Sequence, residues 1–300
     1  MVNLAKLEKV LGCTVVSSCA VSVDEQTGLI AYPASSTVVL HNPKTNNQAF
    51  LVGSAKNSLS CLAFSKCGKY LVTGEFGHDP RVRVWEVYDT NGHFSGVQLA
   101  EFLHHEMGIV CVRFALDGEY VVSVGNKHDR RIALWKWKAN AKVAENRTTS
   151  IVRAMDINEA GTICVTVGVR HVKFWYLDDK KASLQGRSAI LADQRNNTFI
   201  DVRCGPNNRT FSLTITKLLI EFKDKKLINT YHMHDEAPLA LSLGENVLYI
   251  GFKNGTIRCM DANTMERKMT YCKPHYLFCD VASGSMNDSL LSSTHPKGSK

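Results

Sequence analysis

The side chains whose types and spacing could do chemistry are few. His104-His105 and His232-Met233-His234 could each suggest a metal site. Adjacent residues of a strand point to opposite faces, so the first pair would not chelate together. Residues two apart share a face, which suits the second pair, but no third ligand stands at a telling spacing. The ten cysteines are scattered singly and no C-x-x-C occurs, so the sequence offers no structural zinc site. Most lie within apolar runs, as Cys61, Cys111 and Cys164 do, and read as reduced core thiols. Serine, histidine and aspartate for a nucleophilic triad occur in any chain of this length, so their presence alone means little. G-x-S-x-G, H-E-x-x-H and G-x-x-x-x-G-K-[ST] are all missing. The reading is therefore no enzyme, no catalytic residue, no metal and no cofactor.

Charge is the other chemical resource. Thirty-six Lys and Arg against 28 Asp and Glu give a formal net charge of +8. Basic residues gather at Arg130, Arg131, Lys136, Lys138 and Lys142, at Lys180-Lys181, and at Lys223, Lys225 and Lys226. Such clusters serve as solvated blade edges that block edge-to-edge pairing, or they meet an acidic partner. No Gly-rich or aromatic RNA-binding motif accompanies them, which makes nucleic acid the less favoured partner. No run approaches the roughly 20 apolar residues of a membrane span, and MVNLAKLEKVLG lacks the apolar core of a signal peptide. The expected setting is cytoplasmic, with no membrane partner.

These residues must be positioned by short strands. HEMGIVCVRFALDGEYVVSVGNKHDRRIALWKW, from His105 to Trp137, holds three apolar runs: Ile109 to Phe114, Tyr120 to Val124 and Ile132 to Trp135. They are too short for helices and rich in Val, Ile, Phe and Tyr; Asp117-Gly118 marks a tight turn between the first two. The pattern repeats. Phe64, Gly68, Tyr70 and Trp85 precede Phe114, Gly118, Tyr120 and Trp135 by fifty residues each. A fourth copy runs from Ser150 to Leu177, with Gly161 and Trp175 in the same places. Weaker copies span Ala20 to Pro43, Phe199 to Phe222 and Pro238 to Asp261, and Pro274 to Gly284 resembles the first strand of another. Four short strands every 40 to 50 residues are the signature of a β-propeller, because a lone blade cannot bury both its apolar faces.

The repeats resemble the WD-repeat family. Its blades often carry a buried relay of His, Ser or Thr, Asp and Trp, and the resemblance assigns these roles to His105, Ser123, Asp129 and Trp135 in the third copy. It assigns Thr73, Asp79 and Trp85 in the second copy and Thr166 and Trp175 in the fourth, where Val169 replaces the Asp. The full relay is expected in one blade only. A narrower resemblance rests on LEKVLG (Leu7 to Gly12), GKYLVTGEFGHDPRVRVWEV (Gly68 to Val87), VGVRHVKFWYL (Val167 to Leu177), KPHYLFCDVASG (Lys273 to Gly284) and the GRS-x-IL stretch at Gly186 to Leu191. These are similar to the N-terminal region of the mitogen-activated protein kinase-binding protein family and its sister, the microcephaly-associated WD-repeat scaffold of spindle poles.

That resemblance implies a non-catalytic scaffold tethering c-Jun N-terminal kinase signalling components and associating with tubulin, the cytoskeleton, the centrosome and spindle-pole proteins. The family's kinase-docking segment lies in its C-terminal region, outside the stretch matched here. The competing reading is a WD-repeat adaptor in RNA or ribonucleoprotein assembly. The expected organisation is a lead-in over residues 1–19 that could supply a ring-closing strand, an all-β propeller over 20–284, and a polar tail over 285–300. The propeller should hold five to six four-stranded blades and a partial one, an incomplete seven-bladed ring. Propellers bind through loops. The expected partner surface is the ring of turns before each Trp strand: His78 and Arg81; Lys127, His128, Arg130 and Arg131; Arg170 and His171. Lys136 and Lys138 are expected to extend it.

Overall fold

A computed structural model describes residues 7–53, 56–178, 183–233 and 236–271. Among these residues the regular structure is strand, interrupted by four single 3-10 turns. Blade 1 holds β1 (Ser22–Val23), β2 (Ile30–Ala34), β3 (Thr37–Asn42) and β4 (Asn47–Val52). Blade 2 holds β5 (Ser58–Phe64), β6 (Tyr70–Phe76), β7 (Arg81–Tyr88) and β8 (Phe94–Leu103). Blade 3 holds β9 (Ile109–Ala115), β10 (Tyr120–Gly125), β11 (Arg131–Lys136) and β12 (Ala141–Arg147). Blade 4 holds β13 (Val152–Ile157), β14 (Ile163–Gly168), β15 (His171–Asp178) and β16 (Ser183–Ser188). Blade 5 holds β17 (Phe199–Cys204), β18 (Arg209–Thr214), β19 (Leu218–Lys223) and β20 (Lys226–His232). Blade 6 holds β21 (Pro238–Gly244), β22 (Val247–Phe252), β23 (Ile257–Asp261) and β24 (Arg267–Tyr271).

Each blade is an antiparallel meander in chain order, and the six form a ring. The expected partial blade at Pro274 to Gly284 lies outside the described residues, as does His234 of the candidate histidine pair. The closing strand expected before residue 20 is not formed among residues 7–17, which run as coil. This coil leans on blade 1 instead: the Val10 amide donates to Gln48 Oε1 at 2.8 Å and the Thr14 amide to the Pro33 carbonyl at 2.9 Å. Its apolar pairs stay in solvent, since Leu11 is 87% and Val16 78% exposed.

Two physical devices recur. The first is the repeat's glycine. Gly68 and Gly161 have φ of +68° and +71°, and an added Cβ would sit 2.5 Å from Asp24 Oδ1 and 2.6 Å from the Leu116 amide respectively. The preceding blade's first turn thus presses onto each glycine, which is why no other residue fits there. The second is a bulge. In blades 2 to 6 the first strand slips register once against the second, which strengthens the twist that a propeller blade needs. The outermost strand slips opposite Trp85 and Trp135 as well, and opposite Phe222 and Met260 at the same place in blades 5 and 6. Blade 4 keeps register and places Gly186 opposite Trp175 instead, where any Cβ would collide with the ring.

Candidate functional site

In blade 3 the second strand (Ser123), the third strand (Trp135), the turn between them (Asp129) and the segment before β9 (His105) bring the four relay residues together. Trp135 Nε1 donates to Ser123 Oγ at 2.9 Å, and Ser123 Oγ meets His105 Nε2 at 2.8 Å. His105 Nδ1 contacts Asp129 Oδ2. With the Ser123 oxygen accepting from the indole, its proton goes to Nε2, which puts the imidazole proton on Nδ1, facing the carboxylate. All four side chains are buried, and the relay pairs each of their polar atoms except Asp129 Oδ1, which faces Arg131 Nε at 3.4 Å. Gly125 is required beside it, because any Cβ there would strike the Asp129 carboxylate.

Blade 2 is built differently. Trp85 Nε1 donates to Thr73 Oγ1 at 3.0 Å, and the relay ends there. The expected member Asp79 instead sits with its side chain 65% exposed, 2.9 Å from His78 Nδ1. The reason lies fifty residues before Gly125 and Ala133, where blade 2 has Glu75 and Arg83. The Glu75 carboxylate is buried and accepts from the Arg81 amide at 3.1 Å, from Asn57 Nδ2 at 3.1 Å and from Arg83 Nη1. Arg83 also donates through Nε to Glu101 Oε2 at 2.8 Å. A buried ion-pair network thus fills the place of the His-Asp half of the relay. Charged residues at two inward-facing positions were the available sequence signal.

Blade 4 forms a shorter relay that the repeat alignment did not place. Trp175 Nε1 donates to Thr166 Oγ1 at 2.8 Å, and Thr166 Oγ1 meets His171 Nε2 at 2.8 Å. His171 was expected on the exposed partner surface. It is buried because the connection before β15 has only Val169 and Arg170, so the first residue of the strand already faces the core. Burial, then the charge of Lys173, lowers its pKa to about 4.

The turns between second and third strands share one face of the ring with the segments that lead into each next blade. Backbone bonds join turns to these segments: the Asp79 amide to the Glu106 carbonyl and Arg170 to Asn197 reach the next blade's lead-in, and Asn126 to Gly108 and Ile215 to Thr198 reach the blade's own. The backbone there is fixed while side chains project outward. Lys127, His128, Arg130 and Arg170 are exposed, His78 is 82% exposed at its side chain, and Phe76 and Met107 add apolar surface. Phe76 lies against Gly108, whose added Cβ would come within 2.8 Å of its ring. Met107, absent from the sequence reading, sits beside that contact.

Two expected members are already engaged. Arg81 pairs with Glu101. Arg131 reaches Glu106 at 3.0 Å, Asp129 at 3.4 Å and Glu145 at 3.7 Å. Lys136 and Lys138 do not belong to this surface. Lys136 ends β11, about 17 Å from Arg131 at a strand rise of about 3.3 Å per residue, and Lys138 lies in the turn after it. They lie over the rings of Tyr120 and Trp137. The basic cluster of the third copy is thus divided between two faces.

The opposite face gathers the first turns around a central cavity of about 550 Å³. Each blade contributes to its wall, through Val23, Phe64, Arg113, Asp156, Cys204 and Leu243. Arg113 Nε lies 3.7 Å from Asp156 Oδ1, and Asp156 Oδ2 accepts the Cys204 amide at 2.8 Å, which links the inner strands of blades 3, 4 and 5.

Comparison with known proteins agrees with this architecture. The family model "WD domain, G-beta repeat" matches residues 46–86 and 96–136. The chain is 44% identical over 288 residues to mitogen-activated protein kinase-binding protein 1 of Mus musculus, covering 92% of this chain and 19% of that protein. It is 43% identical over 293 residues to WD repeat-containing protein 62 of Sus scrofa, covering 94% of this chain and 19% of that one. The chain therefore spans about a fifth of the length of the curated relatives it matches. It is a WD-repeat β-propeller homologous to mitogen-activated protein kinase-binding protein 1 and WD repeat-containing protein 62.

Proposed function

We propose that this propeller is a non-catalytic scaffold that docks proteins of a mitogen-activated protein kinase pathway on the face bearing the second-to-third-strand turns. The observation that carries the reading is the combination on that face: backbone held by bonds to the segments leading into the same or the next blade, and projecting Phe76, Met107, His78, Lys127, His128, Arg130 and Arg170 side chains. Rigid backbone lowers the ordering cost of docking, and an apolar centre with a basic rim suits a partner bearing acidic groups. The name of the first relative supports a kinase-pathway partner. Tubulin and spindle-pole proteins, with cytoplasmic and cytoskeletal placement, rest on the family resemblance.

The test is affinity capture of kinase-pathway proteins and of tubulin by the chain and by two charge-reversed variants. Lys127→Glu/Arg130→Glu/Arg170→Glu should abolish capture while leaving the melting temperature nearly unchanged, since such exposed changes fall within about 0.5 kcal/mol. Lys136→Glu/Lys138→Glu, on the other face, should retain it. Equal capture by both variants would sink the assignment of the face. Capture of RNA in place of protein would favour the adaptor reading.

A further inference from the structure

Near the ring's centre lies a sulfur pair that neither the relay nor the docking face uses. The coil of residues 7–17 ends in a single 3-10 turn, Ser18–Ala20, which inserts among β5, β9 and β13, the inner strands of blades 2, 3 and 4. Cys19 on that turn is fully buried, and its Sγ lies 3.3 Å from Sγ of Cys111 on β9, also fully buried. Cys61, on β5, shares the same core. A disulfide bond is about 2.05 Å long, so an approach of about 1.3 Å separates the pair from one.

We propose that Cys19 and Cys111 are an oxidation site, at which a peroxide forms an intramolecular disulfide that fastens the N-terminal lead-in to blade 3. The Cys19 thiolate attacks a peroxide oxygen, breaking the O–O bond; it becomes a sulfenic acid and one water leaves. The Cys111 sulfur then attacks that sulfur as it gives up its proton, the S–S bond forms, and the hydroxyl departs with that proton as a second water. Two thiols give up two electrons and two protons, and one peroxide becomes two waters.

Three further observations bear on the order of events. Among the described residues the coil is held to blade 1 through Val10 and Thr14, while Leu11 and Val16 project into solvent. Segments with so few buried contacts open locally at low cost, which gives the oxidant access to Cys19 before the strand-borne thiols. The Cys111 contact, helped by the Arg113 charge, outweighs the opposing effect of burial and holds the Cys19 thiol below the ordinary thiol range. Cys61, Cys111 and Cys164 are instead pushed up by burial, which leaves Cys19 as the thiol that ionises first. The bridge would join residues 92 apart in sequence, a cross-link of the kind that restricts the unfolded chain strongly.

The test exposes the 300-residue chain to hydrogen peroxide, blocks remaining thiols with iodoacetamide and maps its peptides without reduction. The expected result is loss of two alkylatable thiols, with the Cys19 and Cys111 peptides linked before Cys164 changes, and release by dithiothreitol. Peroxide should also raise the melting temperature, and this rise should vanish in Cys111→Ser and persist in Cys164→Ser. The mapping needs no variant, so it stands even where Cys111→Ser folds poorly. Cys19 found as sulfinic acid without a link, or Cys19 and Cys111 both still alkylatable when Cys164 is oxidised, would overturn the proposal.

Discussion

Blades 2 and 3 share a four-stranded meander, a bulge between the first two strands and a Trp bonded to a hydroxyl, yet they solve one problem in different ways. Both must satisfy polar groups between the third strand and the segment leading in. Blade 3 does it with a relay of single hydrogen bonds ending at Asp129. Blade 2 does it with buried charges, Glu75 and Arg83, tied outward to Glu101 and Asn57. The switch turns on two positions, Gly125 against Glu75 and Ala133 against Arg83. A glycine leaves space for a carboxylate from the turn; a glutamate brings its own and sends Asp79 into solvent.

The largest effect should come from breaking the charged version. Arg83→Met leaves Glu75 buried without its guanidinium and is expected to destabilise the chain by about 3–5 kcal/mol. Replacing both partners, Glu75→Leu/Arg83→Met, should recover most of that loss, because a packed apolar pair avoids burying either charge. Urea midpoints of the single and double variants check this. A double variant as unstable as the single would mean that Asn57 and Arg81 depend on the Glu75 carboxylate more than the comparison allows.

Blade 4 sharpens the comparison through pH. His171 has its pKa lowered by burial from 6.5 to about 4 and, among the described residues, has no acidic partner like the Asp129 of His105. The unfolded chain takes up a proton as pH falls through 6.5, whereas the folded chain resists until about 4. Stability from this group is therefore complete above 6.5, falls between 6.5 and 4, and levels off below. The loss over that window should be about 3 kcal/mol. His171→Gln should flatten the slope there, in denaturant titrations run at stepped pH. An unchanged slope would show that other groups govern acid sensitivity.

The sequence carried the blades well because each repeat states the same burial pattern and the same glycine. Six sheets follow the copies placed by Phe, Gly, Tyr and Trp spacing, even where Phe222 and Met260 stand in for Trp. Side-chain partners were less legible. Asp79 stands in the same sequence place as Asp129, and the Glu75–Arg83 pair in place of Gly125 and Ala133 separates them. His171 is two residues after a position that aligns with an Asp, and a shorter turn carries it inward. Lys136 and Lys138 are near Arg131 in sequence but at the other end of a strand. Alignment to a repeat conserves position along a strand, whereas partnership depends on turn length and on what volume a neighbour leaves open.

The finest test asks whether the blade 3 relay acts as a unit. Trp135→Phe removes the indole donation to Ser123 but keeps the aromatic face stacked 4.6 Å from Phe102, so it should cost about 1 kcal/mol. Asp129→Ala leaves the His105 Nδ1 proton unaccepted, which frees the imidazole to reorient and alters what Ser123 can donate to. The two changes share the Ser123 hydroxyl's partners, so a double-mutant cycle should show a coupling of at least about 0.5 kcal/mol. In blade 2 the matching cycle, Trp85→Phe with Asp79→Ala, should be additive, because Asp79 stands in solvent away from the Thr73 hydroxyl. Coupling in blade 2 as large as in blade 3 would place Asp79 back in the relay; additivity in both would reduce the relay to independent hydrogen bonds that happen to be adjacent.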